Sequence, residues 1–169
     1  METDMSEIIE HTPNLWRVYD AFNSYNQPPL TKQEKRDAGR EYVLMVRRER
    51  ADFAARLRNL LGEASIALSD MKDRKHARSF IHTLARSMIE RHRLPPRVSL
   101  PSLSRERQRL LSAIYAYEHP SESEQRRRNA MWCGEQDALE MEYQGMRAQL
   151  IIVSEAIGFL HREARGLLR

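Results

Sequence analysis

Lys32, Arg36, Arg40, Arg47, Arg50 and Arg58 are cations whose spacing returns each of them to one side of an α-helix. At 100° per residue they share an arc of about 80° and make a ridge on the order of 40 Å long. Guanidinium groups carry planar, paired donors suited to phosphate and carboxylate oxygens. Lys32, Arg36 and Arg40 are like-charged i,i+4 neighbours, which costs a helix roughly 0.2–0.5 kcal/mol per pair. An anion along the ridge would offset that repulsion. Three candidates fit. One is a nucleic-acid backbone, followed over several phosphates without base reading. Another is an acidic protein. The third is the chain itself, through Glu2, Asp4, Glu7 and Glu10 or the acids between Glu135 and Glu142. The bias of 24 Arg against 4 Lys also fits a GC-rich genome with no functional pressure at all.

Leu15, Trp16, Tyr19 and Phe22 recur at helical spacing and form a second candidate set. Such an aromatic face more commonly folds back as a lid on its own core; its sharper use is docking in a partner's groove. Arg126, Arg127 and Arg128 make a further basic cluster, but Glu122 and Glu124 lie beside it, and a solvated mixed-charge turn is the expectation.

Catalytic signatures are missing. The chain has no phosphate-binding G-x-x-x-x-G-K-S/T loop, no dinucleotide fingerprint, no H-E-x-x-H and no G-x-S-x-G. His76 and His82 are six apart and point about 120° away from a shared helical face. Cys133 is the only cysteine, so neither an intrachain disulfide nor a cysteine-based zinc site can form. Beside Trp132 it is expected to be a core residue. No enzyme, metal or cofactor is expected; a small all-helical enzyme holding an anion with Arg ranks third among the functions.

Helices must position these groups. Only six Gly and seven Pro punctuate 169 residues, too few for an all-β fold. Thr12 and Pro13 start the aromatic helix, and Pro28–Pro29 end it. Thr31–Lys32–Gln33–Glu34 has the form of a capping box, so the ridge helix starts there and runs to about Leu61 or beyond. A further helix is expected over Asp73–His92. The stretch 94–102 is proline-rich and reads as an extended connection between two helical halves. Ser104 is expected to cap the next helix, with Leu110, Leu111, Ile114 and Tyr115 inward, and Ser121 the last one.

In that last helix Leu139, Tyr143, Met146, Leu150, Val153, Ile157, Leu160, Ala164 and Leu167 alternate at spacings of four and three. This is a heptad seam for helix–helix packing. Unbroken from 121 to 168, the helix would be on the order of 70 Å long. A break near Gly134 or Gly145, or pairing of its end with another copy or another protein, is therefore expected.

The expected fold is all-α: an elongated bundle of five or six helices in a single domain over 1–169, with residues 1–12 as a tail. No apolar run approaches the roughly 20 residues needed to span a bilayer, so no membrane is expected among the partners. The acidic N-terminus is no secretory signal, and a reducing cytoplasm is the default compartment. Charge is uneven: residues 31–97 carry 17 basic and 9 acidic side chains, a net +8. These features favour a non-enzymatic assembly subunit that contacts nucleic acid without sequence specificity inside a nucleoprotein complex. The alternative is a protein–protein adaptor, chaperone or regulator antagonist using the aromatic helix and the C-terminal seam.

Overall fold

The computed structural model describes residues 12–69, 74–91 and 97–167. The tail to His11, the ends of the helix expected over 73–92, and Leu94–Pro96 of the connection lie outside them. The fold is all-α, with six helices and no strand among the described residues: α1 (Pro13–Asn23), α2 (Lys32–Ala67), α3 (Arg74–Arg91), α4 (Leu100–Glu118), α5 (Glu122–Ala130) and α6 (Cys133–Ala164). The chain divides into two compact units. One comprises residues up to Leu44 and from Val98 on; the other lies between Met45 and Arg97. The second junction falls in the proline-rich connection. The first falls within α2.

Local chemistry sets the helix boundaries. Thr31 Oγ1 accepts from the Glu34 N–H (3.1 Å), and the Thr31 N–H donates to Glu34 Oε2 (2.7 Å), the reciprocal box read from the sequence. Helix α4 starts five residues earlier than expected. Ser99, not Ser104, is its N-cap, in a reciprocal box with Ser102. Pro101 sits within the first turn, where its missing N–H has no intrahelical partner to lose. The long C-terminal helix breaks between α5 and α6, at Met131–Trp132, just before Gly134. It stops at Ala164, short of 168. Gly166 adopts φ 69°, and its N–H and that of Leu167 close back on the carbonyls of Glu163 and Arg162. That is a Schellman ending, which glycine enters without a Cβ penalty.

The first unit holds a true core. Val43, Leu103, Leu110, Val153, Ala156, Phe159 and Leu160 form one buried cluster. Helix α6 packs against α1 and α4. Gly39 lets α2 approach it as well: a Cβ there would lie 2.5 Å from the Glu155 carbonyl carbon and 2.6 Å from the Ala156 nitrogen. The heptad seam is used within the chain. Val153 and Leu160 are buried, while Leu139, Tyr143, Met146, Leu150 and Ile157 are half-buried. A second stripe, Ala148, Ile152, Ala156 and Phe159, is also buried, because α6 is covered on more than one side.

Two inward assignments are corrected. On α4, Leu110 is inside, but Leu111 and Tyr115 are exposed, and Tyr115 stacks on His119 with ring centroids 4.2 Å apart. Cys133 and Trp132 are exposed where α6 begins and do not join the core. The second unit is built differently. Val46 is its one buried hydrophobic side chain among the described residues, and α3 buries none.

Candidate nucleic-acid interface

The first three turns of α2 carry Lys32, Arg36 and Arg40, all exposed. Helix α2 holds three carboxylates over the same turns, and each is committed elsewhere. Glu34 is held by the capping box, which with Arg17 Nε 3.6 Å away keeps its carboxyl below the usual range. Asp37 lies one turn before Arg40, yet both its oxygens accept from Gln33 Nε2 at 2.9 and 3.0 Å. Glu41 accepts from Asn14 Nδ2 (2.7 Å) and from the Leu15 N–H (2.8 Å) of α1. Among the described residues, Lys32, Arg36 and Arg40 form no hydrogen bond or ion pair. Arg17, Arg48, Arg109, Arg126, Arg127 and Arg128 each face a carboxylate.

Further along α2 the ridge changes character. Val43, which shares the arc with Arg36, Arg40 and Arg47, is fully buried, so the core interrupts the basic face there. Arg47 is exposed and Arg50 half-exposed, and each makes an interaction of its own. Arg58 is exposed, and its Nε reaches the Ala54 carbonyl at 3.3 Å. Glu2, Asp4, Glu7 and Glu10 lie outside the described residues.

The aromatic residues of α1 face their own chain. Leu15 is buried, and Trp16, Tyr19 and Phe22 are half-buried. The Tyr19 hydroxyl donates to Gln149 Oε1 of α6, and burial pushes that phenol's pKa up. Arg147 lies over Phe22, 5.1 Å from the ring centre. The lid arrangement is therefore the one present.

Sequence reasoning missed a ladder of rings and cations. Tyr117 of α4 and Tyr143 of α6 stack with centroids 4.1 Å apart and planes 12° from parallel. Arg128 caps Tyr117 at 4.4 Å, and Arg147 lies 5.6 Å from the Tyr143 centroid. The Tyr117 hydroxyl donates to Glu140 (2.7 Å) and that of Tyr143 to Glu118 (2.6 Å). The bond to Glu140, followed by burial, raises the Tyr117 pKa to about 12. Stacking partners 26 residues apart on different helices leave no periodic trace in the sequence. The ladder ties α4, α5 and α6 together and occupies the ring faces. Arg126 pairs with Glu122, and Arg127 and Arg128 share Glu124, the mixed-charge turn that the sequence suggests.

Near the end of α1 an open cleft of about 720 Å³ is lined by Phe22, Tyr25, Asp137, Glu140, Met141 and Arg147, among others. Its two carboxylates make it a poor neighbour for phosphate. No group of three or more His, Cys, Asp or Glu able to hold a metal occurs among the described residues. No described helix is long and apolar enough to cross a membrane. Comparison with known proteins finds no similar family model, curated protein or solved structure.

Proposed function

We propose that this protein is a non-enzymatic assembly subunit that contacts the phosphate backbone of nucleic acid without reading sequence, within a cytoplasmic nucleoprotein complex. The contacting residues are Lys32, Arg36 and Arg40, continued along the same helix by Arg47, Arg50 and Arg58. The observation that carries this reading is the commitment of Glu34, Asp37 and Glu41 to other groups. The neighbouring cations then stand on consecutive turns without an ion-pair partner, despite their mutual repulsion. Charge distribution adds support. The unit between Met45 and Arg97 carries thirteen basic and six acidic side chains, a net +7, while the other carries fifteen against eighteen.

The adaptor reading draws less support. The aromatic face of α1 and most of the α6 seam are packed against the chain's own helices. The direct test is titration of labelled DNA and RNA with the purified protein between about 50 and 300 mM salt. Binding that weakens steeply with salt is expected from phosphate contacts. Absence of binding at the lowest salt would remove the proposal and leave an acidic protein as the partner to seek.

A further inference from the structure

A protein can hold a nucleic-acid strand by neutralising phosphates or by stacking bases on aromatic rings, and single strands depend heavily on the second. Each stacked base contributes about 1–3 kcal/mol. The exposed side of α2 has no ring to offer. Its arc holds Lys32, Arg36, Arg40, Arg47, Arg50 and Arg58, interrupted by the buried Val43, with Ala51 and Ala54 as its other small residues. The two rings of α2, Tyr42 and Phe53, lie outside that arc and are half-buried, Tyr42 against the core. Elsewhere in the same unit, Tyr117, Tyr143 and Tyr115 already have stacking partners. Tyr25 is fully exposed, but it borders the cleft that contains Asp137 and Glu140, and the exposed Trp132 ring lies over Gly134 at the start of α6.

We infer that the ridge takes double-stranded nucleic acid in preference to single strands. This rests on the phosphate-binding reading above and names the class of ligand for the same site. The reason is charge density. Each phosphate neutralised releases about 0.9 counterion from a duplex and about 0.7 from a single strand. For Lys32, Arg36 and Arg40, which stand in one unit, the difference is about 0.6 ions, which at about 0.1 M salt is on the order of fourfold in affinity. A stacking platform would cancel that advantage, and the ridge lacks one. Lys32, Arg36 and Arg40 are also held in a pre-set row on consecutive turns of α2. The box at Thr31, the Glu41 bonds to α1 and the close approach of Gly39 to α6 fix the first turns of α2. A stiff duplex presents its phosphates in a comparably fixed array, whereas a flexible strand loses conformational freedom when it conforms to the row.

The test is competition between a 24-base-pair DNA duplex and either of its separated strands, by fluorescence anisotropy at about 0.1 M salt, with a duplex RNA of the same length alongside. The expected result is a duplex bound on the order of fourfold more tightly than the strand, with a steeper dependence on salt. Replacing Lys32→Gln, Arg36→Gln and Arg40→Gln together should erase most of that preference while circular dichroism stays unchanged. A single strand bound as tightly as the duplex would overturn the inference and leave phosphate binding standing. No binding of either form at 50 mM salt would overturn both.

Discussion

The Glu41 carboxylate accepts two hydrogen bonds from the first turn of α1, one of them from the Leu15 backbone. It thereby satisfies an N–H that a helix start leaves unpaired, in place of Thr12, whose side chain makes no cap bond. Glu41→Ala should destabilise the protein by about 1.5–3 kcal/mol, since a charged acceptor is lost from a partly buried site. Thermal unfolding checks this, and an unchanged midpoint would show that water replaces the carboxylate. Tyr117 offers a pH test. Its folded pKa of about 12 exceeds the ordinary 10.0, so the folded chain holds this proton more tightly. Stability linked to it is complete below pH 10 and is lost as pH climbs from 10 to about 12. Ultraviolet titration of the folded protein should find a tyrosine that ionises last, and Tyr117→Phe should remove it.

Among the elements, α2 was the most legible. Its capping box and basic arc stand in the sequence because both depend on residues three to four apart. What the spacing could not reveal was which side of the arc meets the core. Val43 looks like one apolar residue among arginines, and only the approach of other helices makes it a buried one. The start of α4 was missed because its box uses Ser102 where Glu or Gln is usual. The break before α6 was placed only roughly, because Trp132 at the N-cap is not a capping type; its N–H bonds instead to Glu135, 3.3 Å away. The ladder of Tyr117, Tyr143, Arg128 and Arg147 had no local signal. Glycine separates two kinds of helix position. Gly39→Ala should cost about 1–3 kcal/mol, because its Cβ would press on α6 backbone rather than on a yielding side chain. Gly62→Ala meets nothing within 4 Å and should stabilise by up to about 1 kcal/mol. Denaturant midpoints of opposite sign would bear out this contrast; two losses of equal size would refute it.

At the scale of the whole molecule, burial and charge are shared unequally. The unit containing α4 to α6 holds nearly all the buried apolar side chains, whereas the other has Val46 among its described residues. Local opening free energy follows buried apolar contact. Hydrogen exchange should therefore be slowest along α6 between Ala148 and Leu160 and faster, by orders of magnitude, throughout α3. Equal protection in both would mean that something absent from this chain covers α3. A duplex bound to the α2 ridge should slow exchange over the turns of α2 that carry Lys32, Arg36 and Arg40 more than in α6, because the former gain the contact.

If Lys32, Arg36 and Arg40 neutralise phosphates, the salt dependence of binding to a DNA duplex must report it. The slope of log affinity against log salt should be steep in the wild-type protein. In the Lys32→Gln, Arg36→Gln, Arg40→Gln variant it should shrink by about 2.7, or roughly 0.9 for each contact removed. An unchanged slope in a folded variant would contradict the account, for it would mean that these three cations touch no phosphate.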